Sequence, residues 1–118
     1  MKVLVTGARD WRNYEALEKA LDSLRPDVIV HGDAAGADKM SGEFALGRGI
    51  RVRSYPANWN EHGKSAGPIR NEEMFRAEHR DDEPIDVVIA CPLPWSKGTK
   101  HAMGIARRLG IRVVEVSP

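Results

Sequence analysis

Five short apolar segments alternate along the chain with four segments of helical periodicity, and this alternation constrains the fold more than any other feature. Several of the apolar segments are continuous runs of three or four residues, which is typical of strands that are buried on both faces. Helices between such strands return the chain for parallel pairing through right-handed crossovers. The sequence therefore predicts an α/β fold, a doubly wound three-layer sandwich with a five-stranded, mostly parallel sheet.

The same pattern places the individual elements. We expect strands at residues 3–5, 28–30, 52–55, 86–90 and 111–116, and helices at residues 13–25, 36–46, 68–79 and 99–109. Pro26 ends the first helix, and Gly110 ends the last one. Residues 56–67 show no periodicity, so they predict a long loop, and long loops in small domains are usually functional.

Composition excludes several classes of protein. A chain of 118 residues fits one domain, which we place at residues 1–118. The net charge of +1 argues against a protein that binds long nucleic acids through contacts with their phosphates. With Cys91 as the sole cysteine, an internal disulfide and a cysteine-based zinc site are not expected. No secretory or membrane-spanning segment is visible. We therefore expect a soluble, cytoplasmic protein with no metal site and no resident cofactor.

Unusual residues follow the first strand, where ligands bind in doubly wound sheets. Gly7 lets the backbone turn sharply and approach a ligand, and Arg9 can form a forked contact with a phosphate. Asp10 either caps the next helix or faces the ligand. Neither the Gly-x-Gly-x-x-Gly fingerprint nor a phosphate-binding P-loop is present.

The second strand leads into a small-residue turn with free backbone N–H groups. Gly32 and Gly36 belong to this turn, and the start of the following helix favours an anion. Asp38 either complements the helix dipole or binds a ribose hydroxyl. His31 is interpreted as a buried, hydrogen-bonded histidine rather than a catalyst.

The third and fourth inter-element segments complete the candidate site. Trp59 either stacks on a base or covers the core, with the second role favoured. Arg70 and Asn71 lie in the first turn of a helix, where we expect Arg70 to bind phosphate and not to hold the fold together. Gly98 and Thr99 predict another helix N-terminus suited to an anion, with Thr99 as its cap. Cys91 is interpreted as an inert core residue, and no catalytic residue is assigned.

Several segments occur in the order found in one known family. They are residues 6–11 (TGARDW), Gly32 with residues 36–38 (GAD), residues 62–71 (HGKSAGPIRN) and residues 98–99 (GT). Together they resemble the YspA-like branch of the SLOG superfamily, which also includes Smf/DprA and the LOG phosphoribohydrolases. The resemblance implies a Rossmann-like fold, a pocket for nucleotides or nucleotide-derived ligands, roles in bacterial or phage biology, and assembly as a homo-oligomer.

One departure from the hydrolase relatives concerns catalysis. Those enzymes carry a Pro-Gly-Gly-x-Gly-Thr segment followed closely by a glutamate that supports glycosidic cleavage. Residues 94–99 here read PWSKGT, and residues 100–103 contain no carboxylate. Glycosidic cleavage normally needs a carboxylate near the anomeric carbon. The departure argues against hydrolysis and leaves phosphate binding intact.

Three functions therefore stay open at the level of sequence. The favoured one is a module that binds a nucleotide-derived small molecule as a sensor, carrier or sequestering protein. The alternative is an enzyme acting at the N-glycosidic bond of nucleoside monophosphates, with Asp10, Asp38 or Glu72 replacing the missing carboxylate. A third is a single-stranded nucleic-acid binder that stacks bases on Trp11, Trp59 and Trp95, against which the near-neutral charge counts.

Overall fold

One sheet of five parallel strands forms the centre of the molecule in the computed structural model, which describes residues 1–118. The strands are β1 (Lys2–Gly7), β2 (Val28–His31), β3 (Arg51–Ser54), β4 (Val87–Cys91) and β5 (Arg112–Glu115). Their order across the sheet is β3-β2-β1-β4-β5, and every neighbouring pair is parallel. The predicted α/β architecture is confirmed.

Helices connect the strands and cover both faces of the sheet. They are α1 (Tyr14–Leu24), α2 (Ala37–Arg48), α3 (Trp59–His62), α4 (Ala66–Glu78) and α5 (Lys97–Arg108). None of these helices combines the length and the apolar character that crossing a bilayer requires.

Alternation along the strands divides the apolar residues between two cores. In β1, Val3 and Val5 pack with α1 and α2, whereas Leu4 packs with α4 and α5 on the opposite face. All three side chains are fully buried. The continuous apolar runs arise because both faces of the central strands are covered.

The segment predicted as a loop contains helical structure. Residues 59–62 form α3, and Gly63–Ser65 form a 3-10 turn that runs into α4. The side chain of Asn58 accepts a hydrogen bond from the Glu61 N–H at 3.0 Å and so caps α3. A helix of four residues is too short to show a period, so the sequence pattern could not reveal it.

The caps of two other helices differ from the expected ones. Asn13 caps α1 by accepting a hydrogen bond from the Ala16 N–H, so Asp10 is free of that role. Helix α5 begins at Lys97, with Ser96 at the N-cap position, and Thr99 is already its third residue. The prediction of Thr99 as the cap is therefore wrong.

The order of the strands fixes where a crevice opens. Strand β1 lies between β2 and β4, and the chain leaves β1 toward one face and β4 toward the other. In doubly wound sheets this reversal separates the two connecting loops at the carboxyl edge, where ligands bind.

A buried ion pair ties the end of α4 to the start of β1. The Lys2 ammonium lies 2.9 Å from a Glu78 carboxylate oxygen, and both side chains are only 3% exposed. Arg53 approaches the same oxygen at 2.9 Å, and the Tyr55 hydroxyl donates to the other oxygen. Burial raises the pKa of Glu78, but hydrogen bonds from Tyr55, Lys2 and Arg53 outweigh it and hold the pKa below its usual range. This cluster, residues 2, 53, 55 and 78, is called the α4 anchor below.

Candidate functional site

A cavity of about 690 Å³ opens at the carboxyl edge of the sheet. Its walls come from the ends of β1 and β2, the segment 59–71 and the start of α5. Ten of the eleven residues expected at a ligand site lie on its wall: Gly7, Arg9, Asp10, Gly32, Asp38, Trp59, Arg70, Asn71, Gly98 and Thr99.

Gly36 is the exception, because it lies beneath the loop that follows β1 and not on the cavity wall. Its φ is +80°, and a Cβ at this position would lie 2.3 Å from the Ala8 carbonyl oxygen and 2.6 Å from that of Arg9. Both values are far inside van der Waals contact. Gly36 therefore lets the backbone that carries Arg9 come close to the start of α2.

The N-terminus of α5 presents free donors to the cavity. The N–H groups of Gly98 and Thr99 have no acceptor within the protein, and Ser96 makes no capping hydrogen bond with its side chain. Thr99 is 4% exposed and lines the cavity. Unpaired donors at the positive end of a helix dipole favour an anion.

Three cations without carboxylate partners lie on the wall of the same cavity. Arg9, Lys64 and Lys97 line the cavity, and none of them forms a salt bridge. Sequence reasoning missed both lysines, although Lys97 directly precedes Gly98 and Thr99. The cavity is thus cationic in a chain whose net charge is only +1.

Arg70 is held by the protein itself. Its guanidinium donates hydrogen bonds to the Gly32 carbonyl, to the Tyr55 carbonyl at 3.3 Å and to the Asn71 side-chain oxygen at 2.8 Å. Partial burial lowers its pKa, while Asp38 acts in the opposite direction. The expectation that Arg70 has no part in holding the fold together is wrong, because it braces the ends of β2 and β3 against α4.

Asp38 is a buried carboxylate with one unpaired oxygen. Its Oδ2 accepts hydrogen bonds from the N–H groups of Gly32 at 3.1 Å and Ala34 at 3.2 Å, whereas its Oδ1 has no partner. Burial raises the pKa of Asp38 to about 6, although these hydrogen bonds and the charge of Arg70 act against the shift. Through these two hydrogen bonds Asp38 stabilises the turn after β2, in addition to placing a negative charge at the start of α2.

Asn71 joins the starts of α4 and α5. Its amide nitrogen donates to the Gly98 carbonyl at 3.2 Å and lies 3.2 Å from Nδ1 of His101. Its oxygen accepts the bond from Arg70. Asn71 is 3% exposed, and its bond to the Gly98 carbonyl connects the two helix starts at the cavity.

The three tryptophans occupy different environments. Trp11 is 2% exposed and belongs to the core, so it offers no stacking surface. Trp59 and Trp95 are 49% and 64% exposed, and both line the cavity. The favoured role of Trp59 as a cover for the core is therefore wrong.

His31 and Cys91 behave as predicted for core residues. Both are buried, and Nδ1 of His31 accepts a hydrogen bond from the Asp33 N–H at 2.9 Å. Burial lowers the pKa of His31 and raises that of the Cys91 thiol to about 12. Such a thiol is not a nucleophile at neutral pH.

The remaining chemistry of the cavity is limited to a few groups. Glu72 does not line the cavity; its carboxylate lies 3.4 Å from Arg108 and 3.6 Å from His101. The carboxylates that do line the cavity are those of Asp10 and Asp38. No cluster of three or more His, Cys, Asp or Glu side chains has an arrangement that holds a metal ion.

A solved structure shares the fold at low sequence identity. The X-ray structure of DNA processing protein A (DprA) from Streptococcus pneumoniae matches with a TM-score of 0.58 and 18% identity. The match covers 96% of this chain and 58% of the DprA chain, so the present chain spans little more than half of that protein. At this identity the likeness shows the fold alone.

Two comparisons of sequence point to the family. Gene 61 protein of Mycobacterium phage D29 is 40% identical over 123 residues, which cover 96% of this chain and 94% of the phage protein. A family model described as the YspA, cpYpsA-related SLOG family matches residues 1–62. The expected resemblance is confirmed, and the chain belongs to the YspA, cpYpsA-related SLOG family.

Proposed function

We propose that the protein binds a nucleotide or a nucleotide-derived small molecule in the cavity at the carboxyl edge of the sheet. It acts as a sensor, carrier or sequestering module in bacterial or phage biology, and its relative from Mycobacterium phage D29 supports the phage setting. The single observation that carries the proposal is the set of unpaired donors at the N-terminus of α5 in a cavity whose wall also carries three cations that form no salt bridge. These groups match the oxygens of a phosphate.

The size of the cavity agrees with this ligand class. Small-molecule sites typically enclose about 300–1,000 Å³, and the cavity of about 690 Å³ falls in that range. Its wall combines cations with two tryptophans, so it offers separate surfaces to a phosphate and to an apolar ring.

Titration calorimetry with AMP, GMP, CMP, UMP and ribose 5-phosphate tests the proposal. We expect binding of at least one of these ligands and a weaker affinity in Lys97→Ala. Lys19→Ala is the matched control, because Lys19 lies on α1 with its side chain 78% exposed and outside the cavity wall. Equal affinities in the two variants, or no binding at all, would contradict the proposal.

Thr99 offers a second, isosteric test of the same site. Thr99→Val removes the hydroxyl and keeps the shape, so it should weaken binding by about 1 kcal/mol, the typical net value of one hydrogen bond. Thr99→Ser retains the hydroxyl and should bind with nearly the affinity of the wild type. Loss of affinity in both variants to the same extent would point to packing rather than to ligand contact.

A second candidate function is cleavage or transfer at the N-glycosidic bond of a nucleoside monophosphate. One observation favours it: Asp38 lines the cavity, and its buried carboxyl group has one unpaired oxygen and a raised pKa. Such a carboxyl group is suited to proton transfer or to stabilising positive charge on a sugar ring. Chromatography for free base after incubation with each monophosphate tests it, with Asp38→Asn as the variant expected to stop the release.

A further inference from the structure

We propose that Trp95 and Trp59 form an aromatic subsite that holds the planar base of the ligand against the rim of the cavity. The inference rests on the proposed function, because it assumes a ligand whose phosphate lies at the α5 N-terminus. It adds the residues that distinguish a nucleotide from a simple sugar phosphate.

The exposure of the two side chains is the first observation. Trp95 and Trp59 are 64% and 49% exposed, whereas Trp11, the third tryptophan of the chain, is 2% exposed. Indole is among the largest apolar surfaces that a side chain can bury, so leaving it in water is unfavourable. Both exposed tryptophans lie on the wall of the same cavity. This shared location indicates a common ligand.

The attachment of the rings is the second observation. The indole N–H of Trp95 donates to Oδ2 of Asp10 at 3.2 Å, so this bond engages the edge of the ring, and the residue as a whole is 64% exposed. The guanidinium of Arg9 lies 5.3 Å from the centre of the Trp59 ring, within the range of a cation–π contact. Both tryptophans are thus tied to consecutive residues of the loop after β1, and they are positioned before any ligand arrives.

The contact between Trp59 and α4 adds a further restraint. A Cβ at Gly67 would lie 3.7 Å from the outer edge of the Trp59 ring, so the ring packs against the start of α4. Because Gly67 lines the cavity as well, its missing side chain leaves the ring next to the space that a ligand would fill.

The chemistry of the rim selects the occupant. Aromatic side chains stack on every nucleobase, because each base has a π face, whereas a sugar phosphate offers no such face. A long single strand would also stack on tryptophan, but it needs a track of basic residues along its backbone. Here the unpaired cations and the tryptophans converge on one cavity in a chain of net charge +1. The arrangement fits one small nucleotide better than a polymer.

Fluorescence and calorimetric titrations with AMP, GMP, CMP, UMP and ribose 5-phosphate test the subsite. We expect nucleotides to quench the emission of the exposed tryptophans and to leave that of buried Trp11 in place. Trp95→Leu and Trp59→Leu keep apolar bulk but lose the ring, so each should weaken nucleotide binding by about tenfold. The matched variants Trp95→Phe and Trp59→Phe should recover most of that affinity. Binding of ribose 5-phosphate should be the same in all four.

Each other result overturns the proposal in a distinguishable way. If the wild type binds neither nucleotides nor ribose 5-phosphate, the proposed function fails and the subsite fails with it. If the wild type binds nucleotides and the leucine variants bind them equally well, only the aromatic subsite is wrong. If oligo(dT) binds more tightly than every mononucleotide and its affinity falls steeply with salt, the tryptophans serve a single strand instead. Thermal melting of each variant confirms that the fold is intact.

Discussion

Replacing Arg70 by alanine should cost the protein both stability and ligand affinity. The guanidinium donates three hydrogen bonds, two of them to the carbonyls of Gly32 and Tyr55 and one to Asn71. A hydrogen bond to a charged group contributes about 1.5–3 kcal/mol when its partner is buried. Because Arg70 is half-buried, water can replace part of these hydrogen bonds in the variant. We therefore expect the free energy of unfolding to fall by about 2–3 kcal/mol in total.

The assay is urea denaturation of the wild type, Arg70→Ala and Arg70→Lys. Lysine keeps the charge but cannot reproduce the fork, so Arg70→Lys should recover only part of the loss. Arg76→Ala is the control on the same helix, since Arg76 is exposed and makes no salt bridge; it should change stability by less than about 0.5 kcal/mol. If Arg70→Ala unfolds at the same urea concentration as Arg76→Ala, the hydrogen bonds of Arg70 do not stabilise the fold.

The affinity of the same variants separates the two roles of Arg70. At a temperature where Arg70→Lys is folded, its affinity for the best-bound monophosphate should lie between those of the wild type and Arg70→Ala. A variant that is destabilised but binds with wild-type affinity would show that Arg70 serves the fold alone.

Four further expectations concern stability and assembly. Asp38 has a pKa raised from 3.8 to about 6, so the wild type should lose stability relative to Asp38→Asn as the pH rises through that window, as measured by melting at several pH values. Gly36→Ala should lower the free energy of unfolding by about 2 kcal/mol or more, because its Cβ would meet two backbone oxygens; urea titration measures this. Glu78→Gln should cost about 3 kcal/mol at neutral pH, against less than about 0.5 kcal/mol for Glu73→Gln on the exposed side of the same helix, and the difference should shrink in acid as Glu78 becomes protonated. Light scattering at about 10–100 μM, where modest affinities are visible, should show a homodimer or larger assembly, and a monomer would refute this.

The layout of the sheet was accessible from sequence because its signal is local. Runs such as residues 3–5 and 87–90 must be buried on both faces, and that burial leaves few alternatives to a parallel sheet. Glycine and arginine at strand ends likewise indicated the edge at which Gly7, Arg9 and Gly32 meet. The position of a residue after a strand follows from topology, so it needs no knowledge of tertiary contacts.

What the sequence could not show depends on contacts between distant segments. Three such contacts join parts of the chain that are far apart in sequence. They are the packing of Gly36 under the Arg9 backbone, the bond from Arg70 to Gly32, and the contact of Arg9 with the Trp59 ring. The lysines at positions 64 and 97 look like ordinary surface charges until the cavity brings them together.

The α4 anchor has a consequence for how fast a ligand can associate. One end of α4 is fixed by the buried Lys2–Glu78 pair, and the other by the bonds of Arg70 and Asn71 to neighbouring segments. A helix held at both ends cannot swing as a rigid body unless one of these attachments breaks. The wall that α4 contributes is therefore in place before a ligand arrives, so we expect the proposed ligand to enter without a slow helix movement. We then expect encounter to limit the association of that ligand, and the contacts inside the cavity to set the lifetime of the complex.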